Sequence, residues 1–455
     1  MATLTFYGGV GEIGGNKILL EDKKRIFLDF GTNFEKERRY YEPPYLQPRK
    51  EEHLLGLGIL PPLQGLYKND QRAPDIDAVL LSHSHLDHYG YLKYMKNQIP
   101  VVCSESTKNM VVAKEVTSAS SSPKKYRIAD RTVNDGLCIY KDFRTFEGGN
   151  PLEDPVECTP MQVDHSVPDA HGFIVDTSDG AVVYTGDLRF HGPHKAKSEE
   201  FIAEAQKVEP EALIIEGTNL VDAKLSCEDE VKSKVTDVIE YTTGLSMACF
   251  SMNDIDRLET FYNASEKKGR KLVISMKLAY MIHNLQSDSH ISVFSLKDSD
   301  VLIFRRDITR THAWEKVIID EYGGKIITAQ QVEPMQSKLV LTCTFYDMNE
   351  LLTVNPVPGS TYIMSQSEPF NEEMEINFEK LSNWLEWFGI PHYHIHCSGH
   401  ALPHQLKEAI SNIKPKKVFL VHTEKPELYK RYLSDLTKKE KIEIITPEEG
   451  KKYTL

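Results

Sequence analysis

The sequence has no apolar run approaching the ~18 residues of a membrane span, so a membrane protein is not expected. Its first residues, MATLTFYGGV, place no basic segment ahead of an apolar core, and no signal peptide is expected. Cysteine is scarce: the seven are scattered, odd in number and without a CxxC pair. That reads as reduced thiols in the cytosol rather than a disulfide framework. Basic charge is not in excess either, since 54 Lys and Arg face 67 Asp and Glu for a net charge of −13. This argues against a wholly basic nucleic-acid-coating protein and leaves room for a local basic groove or a metal cluster. Repeats and low-complexity tracts are missing, and 455 residues suit two or three domains.

What is present divides into two textures. Residues 1–31 read as short strands around the turn GVGEIGGN. The GxGxxG spacing of Gly9, Gly11 and Gly14 is read as a turn, because a strand follows it instead of the helix that a pyrophosphate needs. A long, poorly periodic segment over 35–75 is rich in Pro, Tyr and Arg. Then come a strand over 78–83, a helix around 89–97, the strand PVVCSE and a polar helical stretch to about 135. A hairpin over 172–187 turns at its Asp-Gly pair, and ALIIEG (212–217) reads as a buried strand. From about 218 strands alternate with helices, the first helix opened by a capping box at Ser226 and Asp229 and running to about 243. This second texture predicts an inserted α/β domain with a mostly parallel sheet.

The stretch LLSHSHLDHYG packs His83, His85, Asp87 and His88 into six positions. His83 and His85 stand at i and i+2 of an extended segment, so both leave on one face. Asp87 and His88 follow in the turn into the next helix. Neutral imidazole and carboxylate are ligand types for zinc or manganese. One turn does not complete a site, so partners are expected at other strand ends, where α/β sheets place ligands. His165 in QVDHSVPD, Asp187 ending VVYTGD and His422 ending VFLVH are the candidates.

With these residues the sequence resembles the metallo-β-lactamase superfamily through its HxHxDH motif, HSHLDH. Within it the chain resembles the β-CASP nuclease branch, of the ribonuclease J type in its short archaeal form. GGVGEIGGN, LDFG with Asp29, HSVPD, TGD, LIIEGT with Glu216, FSMND through Arg257, HCSGHA and VHTE carry the likeness, which covers nearly the whole chain. It implies an α/β fold, a metallo-β-lactamase αββα sandwich with an inserted β-CASP domain. The core would be residues 1–215 and 370–455, with 216–369 inserted.

The resemblance further implies two divalent metal ions, most naturally zinc with manganese as the alternative. His83, His85 and His165 would hold one; Asp87, His88 and His422 the other, with Asp187 bridging. Asp87 would also orient the attacking water. His400 backed by Glu216 is the family's candidate general acid, and Asp29 and His396 support the site without binding metal. Ser251, Asn253 and the loop from Ser398 through Gly399 and His400 to Ala401 would hold a 5′-phosphate, with Phe250 as a base-stacking wall. The substrate implied is single-stranded RNA with a 5′-monophosphate, degraded 5′→3′ to mononucleotides by a homodimer, with endonuclease action also open. An endonuclease of the cleavage-and-polyadenylation kind, a small-molecule metallo-hydrolase and a non-catalytic RNA-binding protein are the alternatives. The net acidity predicts that basic residues gather in a cleft, from Arg38, Arg39, Arg49, Lys50, Arg257 and Lys277. Residues 35–75 read equally as a surface insertion, a subunit contact or an RNA-contacting arm.

Overall fold

Two β-sheets lie face to face in the part of the chain that carries the histidine cluster. The computed structural model describes residues 1–42, 45–118, 126–128, 131–133, 141–220, 226–367 and 372–455. One sheet runs in the order Lys452–Thr454, Thr3–Phe6, Ile18–Glu21, Arg25–Leu28, Ala78–Leu80, Val101–Ser104, Phe143–Phe146. The other runs Glu443–Ile445, Lys417–Val421, Ala212–Glu216, Gly180–Tyr184, Ala170–Thr177, Cys158–Val163. Phe6, Leu28 and Leu80 of the first meet Phe173, Tyr184, Ile214 and Phe419 of the second in one core.

The strand Ala212–Glu216 shows why some segments are apolar at every position. Ala212 and Ile214 face the other sheet, whereas Leu213 and Ile215 face helices. Those helices are Lys195–Lys207, through Phe201 and Ala205, and Pro403–Ile413, through Leu406 and Ile410. On the far side Val79 and Leu81 pack with Leu54, Leu92 and Met95. A strand covered on both faces has no polar side, so it reads as a continuous hydrophobic run. The layers are therefore helix, sheet, sheet, helix, and the α/β fold and its sandwich are as expected.

By internal contacts the chain divides into two units. One comprises Met1–Glu115, Pro123–Ala223 and Gly399–Leu455; the other is Lys224–Ser398 with Val116–Ser122. The second unit holds a seven-stranded sheet in the order Ile326–Ile327, Val301–Phe304, Lys271–Ser275, Leu339–Thr342, Ser246–Cys249, Thr361–Met364, His392–His394. Every pairing in it is parallel.

Three local expectations meet a different outcome. The boundary at 369/370 falls outside the described residues, and the second unit continues to Ser398. The reason is packing: Leu381, Leu385 and Ile390 join its core, and His392–His394 adds an edge strand beside Thr361–Met364. The helix expected around 89–97 is a single turn, Leu86–Tyr89, followed by a 3₁₀ turn at Leu92–Tyr94. The helix Glu228–Tyr241 forms without the expected capping box, since Cys227 occupies the N-cap and Ser226 Oγ donates to Glu230 instead. The polar stretch to 135 lies partly, and Cys138 wholly, outside the described residues; the other six cysteines form no disulfide among the described residues. Among the described residues no helix is long and apolar enough to cross a membrane.

Candidate metal centre

The HSHLDH stretch begins where the three-residue strand Ala78–Leu80 leaves its sheet. Asp29 ends the neighbouring strand in a left-handed conformation (φ 59°), as His422 does at the end of Lys417–Val421 (φ 54°). Such backbone is costly for a residue with a side chain and persists where surrounding bonds over-determine it. Here they do. Asp29 N–H donates to Leu80 O (2.9 Å), and His422 N–H donates to Gly9 O (2.8 Å).

Five imidazoles converge on one carboxylate oxygen. Asp187 Oδ2 lies 3.7 Å from His83 Nε2, 3.2 Å from His88 Nε2, 3.7 Å from His165 Nε2, 3.6 Å from His422 Nε2 and 3.8 Å from His400 Nδ1. His85 Nδ1 stands 3.1 Å from both His83 Nε2 and His165 Nε2. On the other flank Asp87 Oδ2 is 3.2 Å from His422 Nε2 and 3.7 Å from His88 Nε2. Two overlapping ligand sets result, His83–His85–His165–Asp187 and Asp87–His88–His422, with Asp187 placed against both.

The donor chemistry fits divalent cations. A tetrahedral site with bonds of about 2.0–2.1 Å has edges of about 3.3–3.4 Å, close to the His83–His85–His165 spacings. Asp187 Oδ1 is buried with no hydrogen-bond partner among the described residues. Burial holds His83 and His165 well below the usual histidine range and His85 down at about 3, so their lone pairs are free near neutral pH. Burial alone would also lower His88, but the carboxylates of Asp187, Asp29 and Asp87 raise it well above its ordinary value. A pocket that grips a proton this strongly grips a metal cation for the same Coulombic reason. Burial alone would raise Asp187, but His422, His88 and His400 hold it far down, and it stays an anion.

Four of the imidazoles use their other nitrogen for orientation. His88 Nδ1 meets Asp29 Oδ2 at 2.6 Å, His83 Nδ1 meets Ser82 Oγ at 2.9 Å, His165 Nδ1 meets Gly399 O at 2.6 Å and His422 Nδ1 meets Thr218 Oγ1 at 2.8 Å. Such partners fix ring angle and tautomer. Asp29 also accepts from Ser82 N–H (2.8 Å), Ser82 Oγ (2.7 Å) and Tyr184 OH (2.6 Å), and Asn16 Nδ2 donates to that hydroxyl (3.0 Å). Sequence reading missed Ser82, Thr218, Tyr184 and Asn16. Only Ser82, adjacent to His83, and Thr218, two residues after Glu216, carried a positional signal.

The glycine-rich turn packs directly under this centre. A Cβ on Gly14 (φ +76°) would sit 2.4 Å from Asp87 Oδ2, and one on Gly31 would sit 1.6 Å from the Asp87 carbonyl oxygen. The Asn16 N–H donates to that same carbonyl (3.1 Å). Glu12 accepts from Gly9 N–H and from Asn33 Nδ2, and the fully buried Lys17 ammonium donates to Gly15 O (2.6 Å) and Gly31 O (3.2 Å). The motif thus shapes the floor beneath Asp87.

His400 and Glu216 also come together in this unit. His400 Nδ1 lies 3.2 and 3.1 Å from the two Glu216 oxygens, and Glu216 is wholly buried at its strand end. Burial alone would lower His400, but Glu216, with Asp187, raises it to about 9. Its nitrogen near Asp187 is engaged by a carboxylate, which suits a proton carrier better than a further ligand. Gly399 sits where a Cβ would meet Ser166 Oγ at 2.6 Å. The Ala401 N–H donates to Leu188 O (2.7 Å), so it is spent inside the fold and not free for an anion.

The remaining candidates belong to the second unit. Phe250 is buried and stacks on Phe261 (5.1 Å between centroids), so its ring serves that core instead of an exposed wall. Ser251 is exposed, whereas Asn253 is buried with Oδ1 lacking a partner among the described residues. Arg257 is fully buried on Glu228 (2.7 Å) and Ser365, which removes it from the expected basic cleft. His396 lies against that guanidinium (3.4 Å), and Cys397 Sγ donates to Glu228 (3.1 Å). Ser398 is the last residue of the unit.

Two family models match the chain. One described as a beta-lactamase superfamily domain covers residues 57–242, and one described as a Zn-dependent metallo-hydrolase RNA specificity domain covers 392–447. Among curated proteins, ribonuclease J of Mycobacterium tuberculosis (strain H37Rv) is 26% identical over 436 residues, 92% of this chain and 68% of that protein. Ribonuclease J 2 of Staphylococcus saprophyticus is 26% identical over 433 residues, again 92% and 68%. Ribonuclease J of Mycoplasma pneumoniae is 23% identical over 438 residues, 92% and 67%. A crystal structure of a protein of unknown function from Enterococcus faecalis V583 superposes with a TM-score of 0.77 at 22% identity, covering all of both chains, and shares the fold.

Proposed function

This chain belongs to the metallo-β-lactamase superfamily, in its β-CASP branch with ribonuclease J homologues, and on that premise we propose a 5′→3′ exoribonuclease acting on 5′-monophosphorylated single-stranded RNA. The coarser reading, a metal-dependent ribonuclease, rests on those relatives and on the His/Asp cluster. The single observation that carries it is the convergence of five imidazoles on Asp187, with the buried Glu216–His400 pair beside them.

In this reading His83, His85, His165 and Asp187 would hold one divalent cation, and Asp87, His88 and His422 would hold a second. Zinc is the first choice and manganese the alternative. When bound, the cations supply Lewis acidity that activates water and offsets charge developing at phosphorus. Asp87 accepts a hydrogen bond from the attacking water and orients it. His400 delivers its proton to the leaving 3′ oxygen, and Glu216 keeps that proton on the imidazole until then. A 5′-phosphate on the RNA sets the start point of attack. The protein works in the cytoplasm as a homodimer.

RNA carrying a 5′-³²P-monophosphate tests the direction of attack. Label released early as mononucleotide is the expected result. Long labelled fragments would move the assignment to an endonuclease.

A further inference from the structure

Exposed apolar side chains are ordinary when scattered singly, but three of them crowd the Asp87 turn. Ile13 is 41% exposed, Phe34 50% and Leu86 40%, while their neighbours Glu12, Gly14 and Asn33 are buried. Backbone contacts bring the three segments together. Gly14 packs on the Asp87 side chain, Asn33 Nδ2 donates to Glu12, and the Thr32 N–H donates to the Leu86 carbonyl (2.9 Å). Ile13, Phe34 and Leu86 are therefore each one residue from a group locked into the floor of the metal centre. Among the described residues, each of the three keeps roughly half of its surface uncovered.

The segment leaving Phe34 changes from apolar to charged of both signs and aromatic. Arg38 and Arg39 both pair with the single carboxylate of Glu35, which leaves one positive charge uncompensated within that trio. Tyr40 follows at 50% exposure. An exposed aromatic adjacent in sequence to Asn33, continued by guanidiniums and a second exposed ring, matches the chemistry of a single strand: bases to stack and phosphates to neutralise.

We propose that Ile13, Phe34 and Leu86 form an apolar rim that receives a nucleobase of single-stranded RNA next to the metal centre, with Arg38, Arg39 and Tyr40 continuing the track along the strand. The inference rests on the ribonuclease reading and names a contact surface for its substrate. It also gives part of the 35–75 segment a role in substrate binding.

The test compares kcat/KM on a 20-nucleotide RNA with kcat/KM on methyl p-nitrophenyl phosphate, a phosphodiester without a nucleobase, for the zinc-loaded protein. Phe34→Ala is expected to lower the preference for RNA about ten-fold through KM, in line with the worth of one stacked base. Phe34→Trp is expected to restore it. Abasic residues in the RNA should remove most of the difference between wild type and Phe34→Ala. A wild type that degrades RNA with unchanged preference in Phe34→Ala overturns the rim alone, and would leave it as a surface for another protein. A wild type that hydrolyses the small diester but not RNA overturns the ribonuclease reading and the rim with it.

Discussion

Asp29 Oδ2 and His88 Nδ1 lie 2.6 Å apart, both fully buried, across 59 residues of sequence. The pairing places the His88 proton on Nδ1 and turns Nε2 toward Asp187. Asp29→Asn keeps the shape and removes the charge. Metal affinity is expected to fall about 10–100-fold, as for other partners of ligating histidines. Competition with a chromophoric chelator measures it.

Removing the metal should cost stability as well as activity. A ligand that binds only the native state stabilises it by about 4 kcal/mol at a thousand-fold excess over Kd. Chelation followed by dialysis is therefore expected to abolish RNA hydrolysis and lower Tm by several degrees, and zinc or manganese should restore both. Asp187→Ala, which deletes the oxygen shared by both ligand sets, should show the low Tm with metal present.

Under the proposed function, the Glu216–His400 pair is expected to set the alkaline limit of activity. His400 must carry its proton to act, and Glu216 raises its pKa to about 9; bound cations oppose that and bring the limb lower. In Glu216→Gln the protonated imidazole loses its carboxylate, so the alkaline limb of kcat moves to lower pH. A kcat loss of about 10²–10⁴ is expected in His400→Ala, the usual range for a proton-transfer group. A pH–rate profile of the three proteins reads both effects.

Two glycines of the same turn separate strain from catalysis. Gly11 (φ +66°) and Gly14 (φ +76°) share a left-handed backbone, but a Cβ on Gly11 meets nothing within 4 Å whereas one on Gly14 collides with Asp87. Both Ala variants should lose about 1–2 kcal/mol of stability from the backbone. Gly14→Ala alone should also lose metal affinity and kcat. Thermal unfolding paired with metal titration distinguishes them.

How much of this was legible beforehand depends on distance along the chain. The HSHLDH residues are local, and His165, Asp187 and His422 each follow closely after a strand, so period and position pointed to the cluster they form. The αββα layering was readable because a strand such as ALIIE is apolar on both faces. The orienting groups were not, because Tyr184 reaches Asp29 only after two sheets have stacked, and a tyrosine on a strand has no pattern that announces it. Phe250 and Arg257 failed differently. Each is a residue type that binds nucleic acid, and only packing revealed that Phe261 and Glu228 had already taken them. The 369/370 boundary came too early because the helix Glu372–Phe388 and strand His392–His394 look the same in sequence whichever unit they complete.

Residues far downstream of HSHLDH complete the cluster. His422 donates its N–H to Gly9 O, the strand Lys452–Thr454 pairs with Thr3–Phe6, and Leu455 N–H reaches Ala2 O. A growing polypeptide therefore displays His83, His85, Asp87 and His88 long before it owns His400 or His422. His400 and His422, which complete the cluster, both follow the inserted unit in sequence.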